Sequence, residues 1–508
     1  MEVTVASPKQ DVLRHCCTHP TDYATISVKI LLPNCVWNNP FPLIFRSQTS
    51  HYSTILYLVR DFRKHSEMPL MSTRAILTLF IVSLGVTAVA QTESLDWIEQ
   101  YGTTASDGGL GVSADGLGSV YVAGFTNGSL VTTSTSRDAF VSRFDDQGNE
   151  LWTTQFGSTD SDFAYAASAD GLGNVYVSGL TDGDLATSNA GSADAFVSKF
   201  DSSGSLLWSR QFGTSASDVS YGVYADGLGY VYATGITGGD LNGTNSGKFD
   251  AFLRKYDAAG NLLWTRQYGS SESDYAYGVS ADALGNVYVS GDTFGDLGGI
   301  NAGDTDAYVI MYDAAGNLQW TRQLGTTEAD LGHGVSADGA GNVFLAGSTQ
   351  GDLARTNAGS FGDGFVSKFD INGTELWTEQ FGTSASEAVF SASADALGNV
   401  YVGGNTAGSL AAPNAGSIDT FVSKFDSTGT HIWSGQVGSS SYDSFYALSA
   451  DGLGNVYLSG QTPGILGNAS YGSQDIYLLK FKYVPEPSSL LLTVLTCGGM
   501  LARVRSTT

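Results

Sequence analysis

The chain has 508 residues, 64 of them Gly and 42% apolar, with 24 Lys and Arg against 50 Asp and Glu for a formal net charge of −26. That much apolar material excludes an acidic disordered chain. A charge this negative argues against nucleic acid or anionic lipid as a partner, because phosphate-rich surfaces call for Lys and Arg patches.

Residues 1–70 stand apart from everything after them. They hold Cys16, Cys17 and Cys35 of the four Cys, four of the six His and six of the ten Pro. Met71-Ser-Thr-Arg74 then leads into an apolar run that ends at Ala88-Val-Ala90-Gln91. A basic start, an apolar stretch and a small-x-small site make a secretory signal. Signal peptides open a chain, so the expected start is Met71, with 1–70 a mis-assigned or unstructured leader, 71–90 the signal peptide and Gln91 the mature N-terminus.

Residues 91–483 contain no Cys, so an exported domain here would rest on core packing alone. Trp recurs at Trp97, Trp152, Trp208, Trp264, Trp320, Trp377 and Trp433, at intervals of 55 to 57 residues. Gln follows each Trp by three positions and Gly by five. An acid follows by ten: Asp107, Asp162, Asp218, Asp274, Asp330, Glu387 and Asp443. Each unit reads as four short strands, here A to D from axis to rim. Their patterns are "YGVSAD", "NVYVSG", "DAFVSKFD" and "LLWTRQFG", alternating with period 2 and bounded by Asp/Gly turns. Seven such units predict an all-β fold, a seven-bladed β-propeller of four-stranded antiparallel blades. The first repeated feature is a D strand and the last a C strand, so the N-terminal strand must complete blade 7 and close the ring.

The segments "DGLGNVYVSG" (170–179), "DAFVSKFD" (194–201) and "GSLLWSRQFG" (204–213) resemble SBBP-type β-propeller repeats. That resemblance covers about 390 residues and implies a propeller of exported bacterial proteins, with no assigned activity. "DAAGNLLW" (257–264) is also similar to the tryptophan-docking blades of quinoprotein dehydrogenases, but the further cofactor ligands of those enzymes are not found.

The last segment, 484–508, runs Val484-Pro485-Glu486-Pro487, then an apolar stretch from Leu490 to Ala502, then Arg503 and Arg505. Thirteen residues fall short of the ~20 that span a bilayer as a helix. The order of motif, apolar stretch and Arg-containing end resembles the PEP-CTERM sorting signal. The resemblance implies an exosortase-type partner, and it departs from the pattern at Cys497-Gly-Gly499 and in having two dispersed Arg.

Candidate chemistry is sparse. The domain has only His333 and His431. His333 occupies a slot, thirteen after Trp, filled elsewhere by Leu110, Tyr165, Tyr221, Tyr277, Phe390 and Tyr446, and so reads as a packing position. A Cys nucleophile is excluded there, and a His-ligated metal needs more His than exist. The Gly of "DGLG" serve tight turns rather than a phosphate loop, because a strand follows, not a helix.

The seven acids after Trp share one face with a second set, Asp138, Asp194, Asp250, Asp306, Asp363, Asp419 and Asp475. Calcium bound by the first set is one reading, since hard cations want several oxygens. Turn and cap chemistry is the favoured one. The Trp set is expected to fill the space between sheets, and the C-strand bases Arg143, Lys199, Lys255, Lys368, Lys424 and Lys480 to be solvated or paired.

The reading is a monomeric, exported, cell-surface or extracellular-matrix propeller without catalysis. It binds or scaffolds an unidentified glycan or protein and meets the membrane only through its tail. The alternative is an extracellular carboxylate-dependent hydrolase or lyase acting on polysaccharide. Ice binding or adhesion comes third, for flat Thr-rich arrays are not evident.

Overall fold

The computed structural model describes residues 92–359, 362–467 and 469–484. The leader, the signal peptide and the sorting motif beyond Val484 lie outside the described residues. Among those described, 28 strands form seven four-stranded antiparallel sheets. Blade 1 runs A (Asp107–Ala114), B (Ser119–Thr126), C (Asp138–Asp145) and D (Glu150–Phe156), and five further blades repeat it in sequence order. Strand A lines the axis in every blade.

Blade 7 takes its A, B and C strands from the end of the chain (Ser444–Ala450, Val456–Thr462, Asp475–Val484) and its D strand from the beginning, Thr92–Tyr101. Thr92 pairs with Val484 and Tyr101 with Ile476, so the ring closes as the repeat register requires.

The alternation of the sequence does not become one wet and one dry face. Strand C of blade 2, Asp194–Phe200, is buried at every residue, and strand B, Val175–Thr181, at all but Leu180. Each sheet is covered on both faces by its neighbours, as in stacked layers generally. Both sheets contribute aromatic residues and small or β-branched residues to the gap. Between blades 1 and 2, Tyr121, Ala123 and Val141 meet Val175, Val177 and Phe196.

Two expectations need correction. The Trp side chains lie between neighbouring sheets only at the outer edge of the gap, not through its depth. They are half-buried on the outer D strands and close the rim of each inter-blade core. Nor are the C-strand lysines solvated; of the two readings, pairing is the one found, for Lys199, Lys255, Lys368, Lys424 and Lys480 are buried, with Lys368 3.9 Å from Asp338 and Lys480 3.7 Å from Asp96. Lys199 Nζ lies 4.9 Å from the Tyr176 ring centroid, a cation–π contact.

Both corrections have one cause. The backbone carbonyl at each C–D turn points at the preceding blade and draws donors from it. Ala258 O accepts Trp208 Nε1–H at 3.1 Å and Lys199 Nζ at 3.4 Å. Ser427 O accepts Trp377 and Lys368 at 3.2 Å each. The turn must then lie flat on the indole. Gly260 has φ +78°, and a Cβ there would stand 2.8 Å from Trp208, so no side chain fits.

Two further devices repeat. The Ser113 hydroxyl of strand A accepts the Ala169 N–H of the next blade at 3.0 Å, and Ser168, Ser280, Ser336, Ser393 and Ser449 do the same around the ring. The Gln after each Trp staples the B–C loop. Gln211 Oε1 accepts Leu185 and Ala186 N–H at 2.9 Å, while its Nε2 donates to Gly183 O and Asp194, both at 3.0 Å.

Candidate functional site

Strand A starts in regular pairing with strand B and then slips. The register shifts between Gly109 and Gly111, between Ala164 and Ala166, and at the equivalent place in all seven blades. A β-bulge leaves one residue unpaired and turns its side chain away from the ladder. The unpaired residue is the one thirteen after Trp, and because strand A is innermost, the bulge points it at the axis.

The result is a collar of Leu110, Tyr165, Tyr221, Tyr277, His333, Phe390 and Tyr446 around an axial cavity of about 400 Å³. Ring centroids stand 5.2 Å apart for Tyr165–Tyr221, 5.4 Å for Tyr221–Tyr277, 4.9 Å for Tyr277–His333 and 5.2 Å for His333–Phe390. These spacings suit tilted and offset aromatic contacts. Two collar rings are backed by stacked partners two residues earlier on the strand, Phe163 under Tyr165 at 5.7 Å and Tyr275 under Tyr277 at 6.1 Å.

Burial sets the protonation of the collar. The Tyr165 hydroxyl is pushed up to about 12 and that of Tyr277 higher still, so both stay neutral donors at physiological pH. Burial pushes His333 below its ordinary value, and its Nδ1 lies 3.1 Å from Val389 O. The imidazole is therefore neutral with the proton on Nδ1, donated to that carbonyl. His431, on the start of a D strand, is 2.7 Å from the Ser434 hydroxyl and far from the collar in the fold.

Behind the collar sits the acid that the sequence reading missed. Asp292 is buried in strand B of blade 4, where the other blades hold Phe125, Leu180, Ile236, Ser348, Asn405 and Gln461. Its Oδ1 accepts Gly332 N–H at 2.7 Å, and the Tyr277 hydroxyl faces it. Burial pushes it up to about 8. The signal was present as the only carboxylate in that register.

The seven acids after Trp open strand A on the face of the D–A and B–C loops. They are buried clamps. Asp107 Oδ2 accepts Thr103 N–H at 2.5 Å and its hydroxyl at 2.8 Å, while Oδ1 accepts the Thr126 hydroxyl at 2.5 Å. Asp162, Asp218, Asp274, Asp330, Glu387 and Asp443 hold the same N–H four residues before them. Burial raises Asp162, Asp274 and Asp330 above the ordinary carboxylate range against these bonds.

Across each blade junction the two acid sets flank a Gly. A Cβ on Gly157 would stand 2.7 Å from Asp162 and 2.9 Å from Asp138. Both carboxylate oxygens of Asp107 face protein donors, whereas the Oδ1 atoms of Asp162, Asp194, Asp218, Asp306, Asp330, Asp363 and Asp419 are buried without a hydrogen-bond partner among the described residues. Among the described residues no three His, Cys, Asp or Glu converge on one point.

Residues 151–186, 207–242, 263–298 and 319–354 match the SBBP beta-propeller repeat. A stretch of 186 residues is 28% identical to the regulatory protein FlaEY of Caulobacter vibrioides, across 32% of this chain and 20% of that protein. Another of 175 residues is 27% identical to an uncharacterized WD repeat-containing protein of Acanthamoeba polyphaga mimivirus, across 28% and 12%. The match thus spans a fifth or less of the length of these curated relatives. Solved structures that align include the beta-propeller domain of the Trilobed protease from Pyrococcus furiosus, with TM-score 0.43 and 7% identity over 76% of this chain and 97% of that one. An ulvan lyase of a new polysaccharide lyase family aligns with TM-score 0.42 and 13% identity over 74% and 95%.

Two outcomes follow. Millimolar Ca²⁺ added to chelated protein should shift Tm by only a few degrees, whereas a shift above ~15 °C would mean several real sites. Asp292 carries a proton in the folded chain up to about pH 8 that the unfolded chain loses near pH 4. The fold is therefore fully supported below pH 4 and loses stability as pH rises toward 8. Asp292→Asn should match the parent at pH 4 and be more stable by up to about 5 kcal/mol at pH 8, for Asn405 already accepts Phe445 N–H at 2.7 Å in that slot of blade 6. Urea unfolding across that pH range measures both.

Proposed function

We propose that this chain is an exported binding module, displayed at the cell surface or in the extracellular matrix, that takes its ligand on the axis without catalysing a reaction on it. The collar carries this reading. Seven bulges aim one side chain each at a single cavity, and six of the seven are aromatic or imidazole. Phe390 also packs against an inter-blade core, whereas Tyr165, Tyr221, Tyr277 and Tyr446 belong to none of those cores. Neutral Tyr hydroxyls beside flat ring faces suit a glycan, which stacks its apolar face and hydrogen-bonds at its edge. A protein segment is the other class of ligand the site could hold.

Delivery rests on the sequence. The segment 71–90 would export the chain, and the Pro485-Glu486-Pro487 tail would hand it to an exosortase-type enzyme for display.

One observation favours the second reading, a carboxylate-dependent hydrolase or lyase acting on polysaccharide. Blade 2 pairs two acids that no other blade pairs, Asp160 and Asp182. Burial, and then the Asp160 charge, raise Asp182, while Arg137 opposes the rise.

Calorimetric titration with a panel of neutral and anionic oligosaccharides, alongside an assay for new chain ends, tests both. Binding that weakens at least tenfold in Tyr221→Ala, with no new chain ends, is the expected result. New chain ends that vanish in Asp182→Asn would replace the binding reading with the enzymatic one. Binding indifferent to the collar would remove the axial site altogether.

A further inference from the structure

The A–B turns of the propeller each expose one residue at their tip. In six of the seven it is Leu: Leu117, Leu172, Leu228, Leu284, Leu397 and Leu453, between 63% and 81% exposed. The turn itself does not require this. Blade 5 has Ala340 at the tip, and Asp338 Oδ1 accepts its N–H at 2.9 Å just as Asp115 accepts that of Leu117 at 2.8 Å. Because strand A is innermost, the six tips form one apolar ring around the axis. The D strands begin on the same face and add Leu206 and Leu262, each about half exposed. The opposite face has exposed apolar residues, such as Phe294 and Ile300, but in no repeated register. Contiguous apolar surface of this kind marks a contact surface.

The topology says what meets it. Strand C of blade 7 descends from Asp475 on the B–C loop face to Val484 on the A–B turn face, so the chain leaves the ring beside the leucines. Five residues on, the apolar stretch Leu490 to Ala502 begins. Strands A and C are two ladder spacings apart, ~10 Å, and five extended residues reach ~17 Å. The apolar stretch is therefore tethered within reach of the ring. The carboxylates nearest the ring do not oppose an apolar contact there, for Asp115 and its equivalents are turned back onto the N–H groups of their own turns. The net charge of −26 selects against anionic lipid.

We infer that the A–B turn face docks on a zwitterionic bilayer surface, with the leucine ring seated at the headgroup boundary. This rests on the display reading and extends membrane contact from the tail to the propeller itself.

The test uses full-length protein with its native Cys replaced by Ser and single environment-sensitive labels at Leu172→Cys, at Leu453→Cys, at Thr187→Cys on the opposite face, or at retained Cys497 in the tail. Phosphatidylcholine vesicles should blue-shift emission at 172, 453 and 497 and leave 187 unchanged. A shift at 497 alone would overturn the docking of the ring and leave the display reading standing. No shift at any position would overturn both. A shift at 172 and 453 without vesicles, growing with protein concentration as the mass doubles, would assign the face to a second copy of the chain instead.

Discussion

One carbonyl oxygen shows the constraint on which the structure depends. Asp146 O in the first C–D turn accepts Trp97 Nε1–H at 3.1 Å from the first strand of the ring and Lys480 Nζ at 2.8 Å from the last. The two donors are hundreds of residues apart in sequence and meet only because the first and last strands share blade 7. Elsewhere the same pair of donors comes from one continuous blade, as Lys199 and Trp208 do on Ala258 O. Closing the ring thus reuses the ordinary joint. Gln100 repeats the pattern, donating to Asp475 at 2.9 Å and to Gly464 O at 2.9 Å across the same seam. Closing this way pairs the outer side of the last C strand, which would otherwise stand bare.

Closure also fixes the axis. Six of the seven junctions between A strands are tied by an Ala N–H donated to a Ser hydroxyl, so the strands cannot spread and the bulged side chains have one place to go. The cavity, the neutral His333 and the buried Asp292 all follow from side chains forced into that common volume. The two faces then differ in chemistry. Loops rich in Asp and Thr clamps form one, and short turns tipped with Leu form the other.

Much of this was legible in sequence. Trp spacing gave blade count, strand order and the offset that demands closure, because a repeat that must bury its faces can do so only against copies of itself. The shared face of Asp107 and Asp138 also followed from strand connectivity, which puts the D–A and B–C loops at the same end of the blade. What could not be read was anything every copy shares equally. The bulge adds one residue to all seven A strands, so it leaves no irregularity in the repeat, and His333 looked like ordinary packing. The lysines looked solvated because period 2 puts them opposite buried residues, a contrast that vanishes when both faces of a sheet are covered. Leu117 was hidden inside a turn motif whose Gly and Asp explained it fully. Asp292 was the reverse case, a single departure from register that a comparison limited to shared features passed over.

Equilibrium guanidinium unfolding of Gln100→Ala beside Gln267→Ala bears most directly on ring closure. Gln267 makes the same bonds within one uninterrupted blade, to Gly239 O and Asp250 at 3.0 Å each. Both variants should lose about 2–3 kcal/mol, the cost of leaving a buried carboxylate and backbone groups without their partner, and both should keep one cooperative transition. A near-neutral Gln100→Ala next to a severe Gln267→Ala would mean that the first strand does not close the ring.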